Sequence, residues 1–419
     1  MNLVEAAERF AATDRSQVTL DPTRCLLSRD TFADCRRCAD VCPVSAIHWA
    51  RPPELDREVC VNCLGCLEVC PSGAFQARDA FPSLLRCVSH LDVRSIDIVC
   101  GTNPSPSVGP DGSQAGIKIR GCLAGLGRAA YLALAALGVE EVTLRLEACN
   151  ACPVGALEGD IHRQINEAEM FLSADDPDHR LRLSGVSQLD GHERPAWDAD
   201  NPPISRRDFF RLASAQSQLA AARAMFDLEP DQDRGPSLRR RRELSALARL
   251  DERRGTPAEG MLVGLGYAMI GVAASCSACG ACARACPTAA LTFESTDEQY
   301  RLLLDPTACN ACEVCSHVCA EEAISFLREP EYREVIGRVE PVVLSEGRMI
   351  RCSICNTWMA ATEDRTVCSL CAYRLEHPFG SRLPPHLASK LKSSVPGTYL
   401  SAGSSSEAEA KATPAAEVP

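Results

Sequence analysis

The stretch from Cys60 to Pro71 constrains this chain more than any other. Its cysteines fall at Cys60, Cys63, Cys66 and Cys70, with Pro71 directly after, so the spacing is C-x2-C-x2-C-x3-C-P. That is an iron–sulfur ligand run. Three thiolates two residues apart can wrap one cuboidal cluster in a single tight loop. The residues between them, Asn62 and Gly65 among them, are compact enough for backbone N–H groups to point at cluster sulfurs. The fourth cysteine leaves the loop and faces away, so a second cysteine run is expected nearby.

Three more runs are present. Cys276, Cys279, Cys282 and Cys286 with Pro287 repeat the spacing, and so do Cys309, Cys312, Cys315 and Cys319, with Ala320 in place of the last proline. The first run is stretched: nine residues intervene between Cys25 and Cys35, and then Cys38, Cys42 and Pro43 restore the pattern. Either Cys25 ligates across an inserted loop or the first cluster has only three local ligands. After the fourth cysteine a further pattern recurs, in Pro43-Val-Ser-Ala46-Ile47, Pro71-Ser-Gly-Ala74-Phe75 and Pro287-Thr-Ala-Ala290-Leu291. Proline suits the first position of a short helix, where its missing N–H costs nothing. The apolar residue that follows begins a strand.

This internal repeat resembles the bacterial two-cluster ferredoxins and the polyferredoxins built from them, over about residues 18–80 and again about 268–328. The resemblance implies a pseudo-symmetric (βαβ)2 fold in each module and a crossed use of the fourth ligand. Cluster one would then use Cys25, Cys35, Cys38 and Cys70, and cluster two Cys60, Cys63, Cys66 and Cys42. In the second module the implied sets are Cys276, Cys279, Cys282 with Cys319, and Cys309, Cys312, Cys315 with Cys286. The loss of proline at Ala320 should loosen that turn and leave the ligands intact.

Composition agrees with metal rather than cross-links. The chain has 25 cysteines in 419 residues, most of them in C-x-x-C units, which are natural metal claws and awkward disulfide partners. Met1–Leu20 is amphipathic and charged, without the apolar core of a signal peptide, and the apolar run at Met261–Ala274 is too short to span a bilayer. A reducing cytoplasm is the expected location. The formal charge is −12 before any cluster is counted, and each oxidised [4Fe–4S] core with four thiolates adds about −2. So acidic a holoprotein should avoid nucleic acid and prefer basic docking faces.

Between the modules the pattern changes. Ser95–Val99, Ile117–Ile119 and Val142–Leu146 read as strands and Gly125–Leu137 as a helix, giving a small α/β domain. Cys100, Cys122, Cys149 and Cys152 fall at the strand ends, which converge on one edge of an open sheet. This plan is similar to the iron–sulfur delta subunit of methyl-viologen-reducing hydrogenase, and the similarity implies a fifth Fe–S site there. The competing reading is a domain with buried thiols. Gly125, Gly127 and Ala130 also match a dinucleotide fingerprint, but Cys122-Leu-Ala separates the first glycine from the strand, which works against it. Cys87 has no assigned role.

Residues 173–203 are acidic and polar and read as a solvated linker. Ser205–Phe210 resembles a twin-arginine export signal, yet it is internal, and Ser205 with Asp208 makes a capping-box-like start to a helix ending near Phe226. The run Arg239–Arg242 opens another helix. Such a run is either a solvated helix end or a dock for an acidic partner or for the chain's own cluster domains. Near the C-terminus, Cys352, Cys355, Cys368 and Cys371 follow the zinc-ribbon plan, C-x2-C-x12-C-x2-C. A rubredoxin-type iron would use the same ligands, usually with a longer gap and a glycine after each knuckle, where Asn356 and Ala372 stand.

The expected fold class is therefore α+β and multidomain. A two-cluster module over 1–80 precedes a small α/β domain over 81–158 and a linker with helices over 159–260. The second module covers 261–330, a four-cysteine, zinc ribbon-like knuckle pair 340–380, and a disordered tail 395–419. The cofactors expected are four [4Fe–4S] clusters, the fifth Fe–S site and one zinc or mononuclear iron. No Walker loop, nucleophile elbow or H-E-x-x-H accompanies them, and the eight histidines are scattered. The chain reads as an electron-transfer protein without a substrate site of its own. It would relay single electrons between redox protein partners as a subunit or accessory of a larger oxidoreductase, of the formate dehydrogenase or hydrogenase class. The alternative is a cluster carrier or assembly factor. Arg36 and Arg37 beside the first cluster and Glu313 beside the fourth predict the higher potential at the N-terminal end.

Overall fold

In a computed structural model of the chain the described residues are 17–31, 33–91, 93–173, 182–186, 191–202, 235–255, 260, 262, 264–336, 340–362 and 365–379. The amphipathic stretch before residue 17, the expected helix from Ser205 to Phe226 and the tail from 395 lie outside them. The fold is mixed α/β and multidomain, in two compact units, residues 1–368 and 369–419.

The first region of the larger unit is built from very short elements. They are β1 (Thr19–Leu20), α1 (Leu26–Arg29), α2 (Arg37–Asp40), β2 (Ile47–His48), β3 (Glu54–Leu55), α3 (Gly65–Val69) and β4 (Phe75–Gln76). β1 pairs antiparallel with β4, and β2 with β3. Helices of four or five residues cannot nucleate alone in water. Here they are pinned between the cysteine loops. Their core is small: Val18, Leu26, Leu27, Ile47 and Phe75 pack with the thiols of Cys25, Cys38, Cys66 and Cys70. So little apolar volume needs an internal staple.

The middle region starts at α4 (Phe81–His90) and carries β5 (Ser95–Val99), β6 (Val108–Pro110), β7 (Ala115–Lys118), α5 (Gly127–Leu137), β8 (Glu141–Arg145) and α6 (Glu158–Ser173). β9 (Arg182–Val186), β10 (Gly191–Glu193) and β11 (Ala196–Asp198) follow. A five-stranded sheet runs in the order β11-β7-β5-β8-β9, parallel throughout. Ile96, Ile98 and Val99 on the central strand are fully buried, as a parallel sheet covered on both faces requires. α5 is buried nearly all round, from Gly127 to Leu134, and ends on Gly138 in the left-handed conformation.

The acidic 173–203 stretch contributes β9, β10 and β11, so within its described residues it extends the sheet. Its strands are short and polar, and each edge strand needs a partner on one side only. A buried ion network stands behind β11. Asp97 on β5 accepts hydrogen bonds from Arg145, Arg194 and Ser113. Arg194 reaches it across Gly116, where a Cβ would lie 1.9 Å from the guanidinium carbon.

α7 (Leu238–Arg254) carries the arginine run and packs on α5. The Ser237 hydroxyl caps it by accepting the Arg240 N–H, and Ala246, Leu247 and Leu250 enter the middle core. Then β12 (Met269–Val272), α8 (Ala281–Ala285), β13 (Leu291–Ser295), β14 (Gln299–Leu304), α9 (Val314–His317) and β15 (Ile324–Arg328) follow. The pairing of the first region recurs: β12 with β15, and β13 with β14, both antiparallel. α10 (Tyr332–Val335) leads to β16 (Val342–Arg351) and β17 (Trp358–Ala360), which extend the hairpin into a β13-β14-β16-β17 sheet. The smaller unit contains α11 (Ser369–Glu376), where Tyr373 stacks on His377 at 4.3 Å. Among the described residues no helix is long and apolar enough to cross a membrane.

Candidate metal centres

The cysteine loops share one backbone device. In three of them the residues before and after the second cysteine take positive φ: Asn62 and Leu64, Ala278 and Gly280, Ala311 and Glu313, at +52° to +66°. A backbone that alternates between right- and left-handed conformations turns successive N–H groups to one side and makes a concavity for anions. Side chains there cost roughly 1–3 kcal/mol each unless the surroundings impose them. In the stretched first loop the equivalent residues, Asp34 and Arg36, do not take this conformation. A second device follows each fourth cysteine. Ser45, Gly73, Ala289 and Glu322 are all left-handed. The amides of Ala46, Ala74 and Ala323 donate to the sulfurs of Cys42, Cys70 and Cys319 at 3.2–3.3 Å. The turn after Cys319 thus keeps its shape with Ala320 in place of proline.

Burial and mutual repulsion show which thiols are neighbours. Burial pushes Cys38 up to about 12, and the sulfurs of Cys70, Cys35 and Cys25 add to it. Cys25 and Cys35 are also raised by burial first and by Cys70 in addition. Cys63 is raised by burial and by Cys42 and Cys60. In the later region burial raises Cys282 to about 12 with help from Cys279, Cys276 and Cys319. It also raises Cys312 to about 12, with Cys286 and Cys309 contributing. Such groups would stay protonated by themselves, so four together need a cationic core to ionise.

The middle cysteines also come together. Cys100 follows β5, Cys122 follows β7, and Cys149 and Cys152 follow β8, so all sit outside the carboxyl ends of the strands. This is where the strand order reverses and open α/β sheets bind ligands. They line an almost wholly apolar cavity of about 200 Å³. Its wall includes Val61, Asn62 and Cys63 of the first region. Burial raises Cys122 to about 11, and Cys63, Cys100 and Cys152 add to it. The donor set fits an Fe–S group, because apolar walls and soft sulfur donors suit no hard cation.

The glycines of the dinucleotide-like fingerprint serve this junction instead. A Cβ on Gly125 would lie 2.7 Å from the Leu64 Cβ, and one on Gly127 would lie 1.9 Å from the Glu68 carboxylate. The start of α5, where a pyrophosphate would sit, is therefore filled by α3. Burial raises the Glu68 carboxyl to about 7, against the lowering effect of Arg239.

Within the larger unit, Cys352, Cys355 and Cys368 have sulfurs within 4.8 Å of one another, and Cys371 lies on α11 of the smaller unit. That spacing suits a single ion. The Cys355 and Cys368 sulfurs are 3.7 Å apart. The N–H groups of Cys355 and Cys368 pull the Cys352 thiol down to about 6. Cys87 is fully buried on α4, and burial raises it to about 11, which suits an inert core thiol.

Sequence reasoning missed several neighbours of the loops. Trp49 donates its indole N–H to the Cys35 carbonyl and lies under Arg36 and Arg51, at 5.1 and 5.9 Å from its ring centroid. Two arginines of the run are buried and two half-buried: Arg242 pairs with Asp79 and lies over Phe81, while Arg240 lies over Tyr267 at 3.6 Å. Of its two readings the run takes the one in which it docks on the chain itself. Its partners are far away in sequence, so no local signal marked them.

The description "4Fe-4S dicluster domain" matches residues 275–323. That segment carries an iron–sulfur, ferredoxin-like domain. A search of the curated proteins finds no relative that matches. The matched segment holds the cysteine runs beginning at Cys276 and Cys309, and the loop geometry there recurs around Cys60.

Proposed function

We propose that this protein is a polyferredoxin-type electron relay with two two-cluster modules and a fifth Fe–S site. Cluster one would be held by Cys25, Cys35, Cys38 and Cys70, and cluster two by Cys60, Cys63, Cys66 and Cys42. Cluster three would take Cys276, Cys279, Cys282 and Cys319, and cluster four Cys309, Cys312, Cys315 and Cys286. Cys100, Cys122, Cys149 and Cys152 would hold the fifth group, and the Cys352 set a structural zinc. Bound clusters supply reversible one-electron changes. The chain's own residues hold, space and insulate them.

The observation that supports this reading is the mutual repulsion of the thiols: Cys70 is the foremost neighbouring sulfur raising Cys25, Cys35 and Cys38, whereas at Cys66 of its own loop Cys63 and Cys60 come before it. Burial of Cys66, Cys282, Cys309 and Cys315 favours retained clusters over cargo, since a carrier must expose what it hands on. The redox partners would be subunits of a larger oxidoreductase, such as a dehydrogenase or hydrogenase. Iron, sulfide and zinc content of anaerobically purified protein tests the proposal. About sixteen irons would mean the two modules alone, and about eighteen would add a [2Fe–2S] group. Well below sixteen, with zinc in excess, would overturn it.

A further inference from the structure

The two cysteine-rich regions are far apart in sequence, yet they meet through their ligand loops. Asn310, directly after Cys309, is 8% exposed, and its side-chain amide donates to the carbonyl of Pro71, directly after Cys70, at 2.7 Å. Val314, directly before Cys315, is buried in the first region's core with Cys25, Cys38, Cys66 and Cys70. His317 on α9 places Nδ1 3.5 Å from the buried carboxylate of Asp30, in the inserted segment between Cys25 and Cys35. Arg240 closes the contact from behind and donates to the carbonyls of Gly266 and Cys309 at 2.6 and 3.4 Å. Elsewhere in the first region, Cys63 and Asn62 border the Cys100–Cys122–Cys149–Cys152 cavity.

We infer that these contacts set the sites in single file, with one junction where the Cys309–Cys315 loop meets the segment after Cys70. The order runs from the Cys276 set to the Cys309 set, then the Cys25 set, the Cys60 set and last the sheet-edge cysteines. The inference rests on the ligand sets proposed above and adds their sequence in space. Tunnelling falls exponentially with distance, so a file of neighbours conducts where two separated modules would not. At each step one cluster loses one electron and the next gains it; no bond or proton moves. A one-electron donor protein at one end and an acceptor at the other complete the balance. Asn310, Val314 and His317 are positioning residues: they fix the gap and touch no external substrate.

The test uses the full-length holoprotein reduced with dithionite. Each reduced cluster speeds the electron-spin relaxation of a close neighbour, an effect that fades steeply with distance and is read by microwave power saturation. Cys38→Ala, which strikes the set at the junction, should remove relaxation enhancement from the second module's signals, and Cys63→Ala should leave most of it. Reciprocally, Cys312→Ala should remove enhancement from the first module and Cys279→Ala should leave it. Two directions protect the test if one lesion unfolds its own module. Asn310→Leu should keep the iron and sulfide content and lower the enhancement across the junction. Full cluster content in the wild type, with no cross-module effect from either Cys38→Ala or Cys312→Ala, would overturn the junction alone. Protein with no [4Fe–4S] signals would overturn the proposed function and this inference with it.

Discussion

Glu243→Ala should be among the most damaging single changes outside the cysteines. Glu243 lies on α7, 1% exposed, and its carboxylate binds Arg128, 4% exposed, through the Nε–H. It also accepts from Arg240 at 3.1 Å and from the Tyr267 hydroxyl at 2.6 Å. Burial alone would raise this carboxyl, but Arg128 and Arg240 hold it at about 2. The gap from its ordinary 4.5 corresponds to about 3 kcal/mol in favour of the carboxylate. Removing it also takes one ion-pair partner from each of two buried guanidinium groups, Arg128 keeping Glu167 at 2.7 Å, and breaking a buried pair in this way costs about 3–5 kcal/mol. Glu243→Gln keeps an acceptor for Tyr267 and should fall in between. The assay is urea unfolding of the holoprotein, with variant and wild type compared by midpoint at a common slope. Because the folded value is depressed, the contribution is fully present above about 4.5 and is lost as pH falls toward about 2. The difference between wild type and Glu243→Ala should therefore stay constant from about pH 8 to about pH 6. A loss under about 1 kcal/mol, the size of an exposed ion pair, would refute the reasoning. So would a difference that shrinks within that pH window.

Four further outcomes are expected. Cys70→Ala should damage the cluster assigned to Cys25, Cys35 and Cys38 more than the one in its own loop, read by iron content and EPR; equal loss of both would leave the crossing unsupported. Arg36→Glu with Arg37→Glu should lower one cluster potential in an EPR-monitored titration, because Arg37 already favours the thiolate of Cys35; unchanged potentials would sink the electrostatic account. Gly127→Ala, at φ +69° and with its Cβ 1.9 Å from Glu68, should lose roughly 1–3 kcal/mol. Gly159→Ala, with nothing within 4 Å, should be neutral or stabilising in the same urea unfolding assay.

The cysteine loops were legible because their chemistry is local. Ligand spacing, the residues between Cys60 and Cys66 and the turn after each fourth cysteine all lie within a few positions of one another. The sheet-edge cysteines were legible for the same reason, since each follows a strand whose apolar residues announce it. What the sequence hid depends on distant partners. Arg240 and Arg242 read equally well as solvated, because Tyr267, Asp79 and Phe81 are not their neighbours in the chain. Gly125 and Gly127 imitated a phosphate turn, whereas their small size admits Leu64 and Glu68. β9 and β11 were hidden by their polar surroundings, and the Arg194–Asp97 contact behind them joins residues 97 positions apart.

The closeness of Cys70 to Cys25, Cys35 and Cys38 bears on how the protein is made. On the ligand sets proposed above, the fourth thiol of one run would serve the other run's cluster, so neither site in a module would be complete until both loops had closed. Loading would then be all-or-none within the pair, and a half-filled module would be the least favourable species. Under scarce iron, cells would hold a mixture of full and empty modules instead of a population uniformly short of metal. Every filled module would then carry both of its clusters.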